Sequence, residues 1–133
     1  MRESEPVTIL NVDDYAPGLY ARSRALRAAG FRVVEGSSGA EALRLAAEHK
    51  PALALLDVNM PDMSGLEVCG RLKAEEGMAG TKIVMLTAAA QQDDVARGFA
   101  AGADQYLTKP FSPVRLLSLV EHLVPGMDPW RRA

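Results

Sequence analysis

The chain has 133 residues, 48% hydrophobic and 24% charged, which is the length of one compact domain with an ordinary globular composition and excludes a disordered chain. Its formal net charge of −2 gives no electrostatic case for nucleic acid, which would call for a basic domain or stripe. The single cysteine, Cys69, excludes an internal disulfide, and His49 and His122 show no zinc-like spacing.

The first six residues are polar, with no apolar stretch behind them to make a secretory signal. No run approaches the ~18 apolar residues that span a bilayer. These features predict a soluble, cytoplasmic protein with no membrane insertion.

The apolar pattern then changes period in a regular way. Val7 to Val12 is short and nearly continuously apolar, and it stops at Asp13 and Asp14. Leu19, Ser23, Leu26 and Ala29 recur at helical spacing, and Gly30 is placed to close that helix. Phe31 to Glu35 reads as a second strand, and Ala40 to His49 as a second helix that stops before Pro51. Ala52 to Leu56 is a third apolar run and ends in Asp57. A loop follows to Gly65, with Ser64 placed to cap a helix running to about Glu76.

Ile83 to Leu86 is a fourth apolar run, ending at Thr87. Gln91 to Ala101 reads as the fourth helix, closed by Gly102. Gln105 to Leu107 is a short fifth strand before Lys109 and Pro110, and Ser112 to Val124 is the fifth and last helix. Five strand–helix alternations predict an α/β domain built on a five-stranded parallel sheet. The middle runs are apolar at every residue, as strands must be when helices cover both faces of the sheet. The predicted organisation is an N-terminal tail over 1–6, one domain over 7–124, and a C-terminal tail or linker start over 125–133.

Ligands of open parallel sheets bind beyond the carboxyl ends of the strands. There the sequence places Asp13 and Asp14 after the first strand, Asp57 after the third, Thr87 after the fourth and Lys109 after the fifth. Each has an ordinary reading alone: a helix cap, a loop acid, a strand-end threonine, a solvated lysine. The ordinary reading would have to hold at all of these strand ends at once. Three neighbouring carboxylates favour proton uptake or a bound cation, and hard oxygen ligands suit Mg²⁺. A cation with Lys109 and the Thr87 hydroxyl would stabilise a transferring phosphoryl group, and a carboxylate can be its acceptor.

Four blocks carry a specific resemblance: Val12-Asp-Asp14, Leu56-Asp-Val-Asn-Met-Pro-Asp-Met-Ser-Gly65, Leu86-Thr-Ala88 and Tyr106-Leu-Thr-Lys-Pro-Phe111. In order and spacing, over about residues 7 to 124, they resemble the signature blocks of response regulator receiver domains of two-component signalling. The resemblance implies a flavodoxin-like (βα)5 fold with strand order 2-1-3-4-5. It implies that Asp57 is the phospho-acceptor, with Lys109 paired to it. It implies Mg²⁺ bound directly by Asp14 and Asp57, by the backbone carbonyl of Asn59, and through water by Asp13. Thr87 and Tyr106 would form a switch pair, Ala88 would leave room above Asp57, and the Lys109–Pro110 peptide would be cis.

As a receiver the chain would take a phosphoryl group from the phosphohistidine of a histidine kinase or a histidine phosphotransfer protein. It would signal to a downstream effector protein or domain, or to a second copy, through a face around the fourth helix, fifth strand and fifth helix. On the last helix Leu116, Leu117, Val120, Leu123 and Val124 form one stripe, while Val114 and Leu119 fall outside it as candidates for that contact. It would not be an enzyme beyond self-catalysed phosphorylation and dephosphorylation. In the family it resembles, the positions of Asn59 and Ala89 influence hydrolysis of the phosphate; both residues are uncharged, so the resemblance implies no unusually long phosphoryl lifetime. The alternatives are a receiver cut from a hybrid histidine kinase or a multidomain regulator, and an aspartyl-phosphate phosphatase. The phosphatase would need a second acid where Asn59 stands. A flavin-binding domain of similar topology would need a Ser/Thr/Gly-rich loop where Asp13 and Asp14 stand.

Overall fold

The computed structural model describes residues 6–78, 80–88, 96 and 99–124. In chain order they form β1 (Thr8–Val12), α1 (Ala16–Ala28), β2 (Arg32–Gly36), α2 (Gly39–His49), β3 (Leu53–Asp57) and α3 (Gly65–Ala74). A 3-10 turn (Glu76–Met78), β4 (Lys82–Ala88), β5 (Gln105–Lys109) and α4 (Pro113–Leu123) follow. The helix predicted over 91–101 lies largely outside the described residues; Ala96, Phe99 and Ala100 within it are helical. Residues 1–5 of the predicted N-terminal tail and all of the predicted C-terminal tail, 125–133, also lie outside them.

All four strand pairings are parallel, in the order β2-β1-β3-β4-β5. This is the fold class that the resemblance implied. Every residue of β3 is buried, as are five successive residues of β4, because helices lie on both faces of the sheet. Alternate strand residues divide between two cores. Leu10, Val12, Ala54, Leu56, Ile83, Met85 and Tyr106 pack with Ala42, Leu45 and Ala46 of α2 and with Val68, Cys69 and Leu72 of α3. Ile9, Val33, Leu53, Leu55, Val84, Leu86 and Leu107 pack on the opposite face with Leu26 of α1 and with Leu116 and Val120 of α4. Each fully buried Leu or Ile contributes roughly 1.5–3 kcal/mol.

The helix ends follow their local chemistry. The side chains of Ser38, Ser64 and Ser112 accept hydrogen bonds from the backbone N–H groups of Glu41, Leu66 and Arg115. Gly30 follows α1 with φ of +100°, a conformation open to glycine without strain. Strands β4 and β5 run further than the apolar runs predict, to Ala88 and Lys109, since the ladder pairs Thr87 with Thr108 and Ala88 with Lys109. On α4 the stripe reading holds for Leu116, Val120 and Val124, which are buried. The reading of Leu119 is corrected: it is partly buried against the core, while Val114 is 77% exposed.

Candidate functional site

The register of the sheet builds the site as a stair. Asp57, the last residue of β3, pairs with Leu86; Thr87 stands one step further along β4, and Lys109 ends β5 opposite Ala88. At the same edge β1 ends at Val12, and Asp13 N–H donates to the Gly36 carbonyl at 3.1 Å, which fixes the turn leaving the strand. The five strand-end residues singled out in the sequence therefore share one edge.

Their geometry is close. Oxygen atoms of Asp13, Asp14 and Asp57 all lie within 4.8 Å of one another. Lys109 Nζ lies 3.4 Å from Asp57 Oδ1 and 3.5 Å from Asp13 Oδ2. Asp13 and Asp57 are buried, at 1% and 7% exposure, and Asp14 is exposed. Burial, and then the neighbouring Asp13 charge, push the Asp57 carboxyl up to about 6, against the opposing pull of Lys109 and of the Asn59 N–H. Asp13 moves the other way. Burial opposes its ionisation most, but the Tyr15 N–H, Arg22 and Lys109 together outweigh that and lower its pKa. The two carboxyls are thus driven apart, with the proton favouring Asp57.

Both oxygens of Asp13 are engaged: Oδ1 accepts from Tyr15 N–H at 3.0 Å, and Oδ2 faces Arg22 and Lys109. Three clustered carboxylates with one exposed member form a hard-oxygen donor set of the kind a divalent cation takes. The residues present fit such an ion.

The loop after Asp57 is held at several points. Val58 N–H donates to Leu86 O at 3.0 Å, and Gly65 N–H donates to Val58 O at 2.8 Å. A Cβ on Gly65 would run into the Asp57 carbonyl, so only glycine lets α3 start this close to the end of β3. Asp62 accepts from Gly39 N–H at 2.8 Å and Ala40 N–H at 2.9 Å, tying the loop to the start of α2. Those backbone donors, Gly39 first, hold its carboxyl below the usual range.

Thr87 is buried, and its hydroxyl donates to the Ala88 carbonyl at 3.4 Å. Tyr106 is also buried, and its ring meets Phe99 with centroids 5.5 Å apart and planes at 51°. Because Met85 pairs with Tyr106, alternation puts Thr87 and Tyr106 on the same face of the sheet. Phe99 was not singled out in the sequence. The Lys109–Pro110 peptide is cis, as the resemblance implied. Ala88 is exposed, and Ala89 lies outside the described residues.

Sequence reasoning also missed a buried polar chain beneath Asp13. Arg22 Nη2 lies 3.0 Å from Asp13 Oδ2, and Arg22 Nε donates to Asn11 Oδ1 at 3.0 Å. Asn11 Nδ2 donates to Ser23 Oγ at 2.9 Å and to Leu19 O at 3.1 Å. The available signal was Asn11, an amide inside the mostly apolar first strand.

Residues 9–121 match the family profile of the response regulator receiver domain. The chain belongs to this family. As a receiver domain of two-component systems it resembles the phosphate regulon transcriptional regulatory protein PhoB of Pseudomonas aeruginosa, 38% identical over 92% of this chain and 53% of that protein. It spans about half the length of the curated relatives it matches. Among solved structures, the chemotaxis response regulator CheY4 of Vibrio cholerae superposes with a TM-score of 0.84 at 32% identity, covering 89% of this chain and 98% of that one. The receiver domain of the sensor histidine kinase PA1611 of Pseudomonas aeruginosa superposes with a TM-score of 0.84 at 28% identity, covering 91% and 99%. That structure has a magnesium ion coordinated in its active-site cleft. Among the described residues, no helix of this receiver is long and apolar enough to cross a membrane.

Proposed function

We propose that this receiver accepts a phosphoryl group on Asp57 from the phosphohistidine of a histidine kinase or a histidine phosphotransfer protein. The observation that carries this is the placement of a buried carboxylate between a lysine ammonium and two further carboxylates. In the transfer a carboxylate oxygen of Asp57 attacks phosphorus, the P–N bond breaks, and its electron pair stays on the imidazole nitrogen, which takes a proton. Residues 7–124 are the unit that performs it.

Asp14, Asp57 and the Asn59 carbonyl would hold Mg²⁺ directly, and Asp13 through water. When bound, the ion neutralises charge on the phosphoryl oxygens. Lys109, already within 3.4 Å of the acceptor oxygen, pairs with the phosphoryl group once it arrives. Thr87, one step along the sheet, donates its hydroxyl to another phosphoryl oxygen. Its departure from the Ala88 carbonyl and the packing of Tyr106 behind it form the two-state element through which the added charge is read.

The reading face lies around residues 91–101, β5 and α4. Val114, with Ser112, Arg115, Ser118, Leu119 and His122, lines a depression on the outer side of α4 where an effector or a second copy would dock. The relatives named as transcriptional regulators are about twice as long as this chain, so the effector would be another domain of a longer protein or a separate protein. Its net charge of −2 supplies no overall electrostatic attraction to nucleic acid. Asn59, two residues after the acceptor, supplies no general acid, so the phosphoryl group is held as a signal and not turned over as by a phosphatase.

The test is transfer from a phosphorylated histidine kinase core. Label must move to the wild type, be released by hydroxylamine as an acyl phosphate is, and be absent from Asp57→Asn. Label on a different residue, or label that survives hydroxylamine, would overturn the assignment.

A further inference from the structure

We infer that Arg22 is a built-in competitor for the divalent cation: a fixed positive charge that holds Asp13 in place and keeps metal affinity low. This rests on the reading that the acidic cleft takes Mg²⁺.

Arg22 is 7% exposed, and its Nη2 lies 3.0 Å from Asp13 Oδ2. Asn11 Oδ1 accepts from Nε and fixes the guanidinium from below, while Ser23 and the Leu19 carbonyl hold the Asn11 amide. Asn11 and Ser23 are both fully buried. Above the pair, α1 passes at Gly18. A Cβ there would sit 3.6 Å from both Arg22 Nη1 and Asp13 Oδ2, so the helix packs close over the pair.

Fold stability does not account for this chain of polar groups. An apolar set of similar volume at a buried ion pair is commonly neutral or stabilising. The guanidinium is held in place by Asn11, so its charge faces the cleft whether or not an ion is bound. Its Nη2 makes no aligned hydrogen bond despite the short approach to Asp13, so the contact works chiefly through charge.

The consequence follows from the charges. With all three carboxyls ionised, Asp13, Asp14 and Asp57 face two cations, Lys109 and Arg22, which leaves one net negative charge. A dication binding there meets two resident cations and shares Asp13 with one of them. Without Arg22 the same cleft carries two net negative charges.

The experiment is calorimetric titration of Mg²⁺ into metal-free wild type, Arg22→Met and Arg22→Lys. A unit charge roughly 6 Å from a dication changes affinity about three- to tenfold with water-like screening, the lower end at ~0.1 M salt. Arg22→Met is expected to bind Mg²⁺ tighter by that factor and to show a larger Mg²⁺-induced rise in Tm. Arg22→Lys keeps a charge there and is expected to stay close to wild type. Equal or weaker binding by Arg22→Met overturns the inference and leaves the cation reading standing. No Mg²⁺ binding by the wild type overturns both. Should Arg22→Met fail to fold, the wild type alone decides. Its buried Arg22 Nε–H gives its own NMR signal, which must shift as Mg²⁺ saturates the cleft, and an unmoved signal overturns the inference.

Discussion

The carboxylate of Asp57 and the ammonium of Lys109 stand 3.4 Å apart, although they end β3 and β5, two strands separated by β4. The pair exists because parallel register sets the ends of successive strands in steps along one edge. Asp57 lies opposite Leu86, and Lys109 opposite Ala88. On the proposed reading the ammonium faces Asp57 before any phosphate arrives, so its stabilising effect would need no reorganisation during transfer.

Removing that charge is expected to slow phosphoryl uptake by about 100-fold or more, the usual effect of deleting one preorganised charge stabiliser. Lys109→Met, assayed for initial rate of phosphorylation by a small-molecule donor, checks this. A variant within about threefold of wild type would show that the pair is structural only.

The raised Asp57 carboxyl makes a prediction about stability. Its ordinary value is 3.8 and its folded value about 6, so between these the folded protein binds more protons than the unfolded chain. Stability from this group therefore falls as pH climbs from about 4 to about 6, and the penalty is constant above that. Asp57→Asn is expected to stabilise the metal-free protein by up to roughly 3 kcal/mol at about pH 8, with the gain vanishing near pH 4. Urea denaturation at both pH values measures it. A gain that is the same at both would contradict the shift.

Mg²⁺ binding should share this dependence. Because the proton on Asp57 must leave before the carboxylate can hold a cation, Mg²⁺ affinity is expected to drop as pH falls below about 6. Titration at several pH values tests it, and a pH-independent affinity would remove Asp57 from the ligand set.

Gly65→Ala is expected to cost about 1–3 kcal/mol, since the new methyl meets the Asp57 carbonyl, which belongs to a strand with no room to retreat. It should also slow phosphoryl uptake by displacing the acceptor. A stable, fully active variant would show that α3 can slide outward.

Val114 is 77% exposed, so Val114→Ala should leave stability within about 0.5 kcal/mol of wild type. Self-association or effector binding by the phosphorylated form is expected to weaken. Unchanged binding with and without phosphate would remove this side of α4 from the signalling face.

Much of this was legible because burial on both faces makes each strand a bare apolar run whose end is marked by the first polar residue. Asp13, Asp57 and Thr87 follow from that alone. The apolar pattern ends β5 two residues short because Thr108 and Lys109 carry no apolar signal; their pairing comes from the neighbouring β4. Helical spacing alone puts Leu119 outside the core, and it packs against the core because partial burial extends beyond the central stripe. Arg22 was illegible for a different reason. A helical arginine reads as solvated, and only the tertiary approach of Asp13 and Asn11 makes its burial tolerable.

The most direct measurement is the intact mass of the protein after incubation with acetyl phosphate and Mg²⁺, for wild type, Asp57→Asn, and wild type with the metal chelated. One added phosphoryl group on the metal-loaded wild type alone is the expected result. Equal uptake by Asp57→Asn, or no uptake by wild type with Mg²⁺ present, would contradict the assignment of Asp57 as a metal-assisted acceptor.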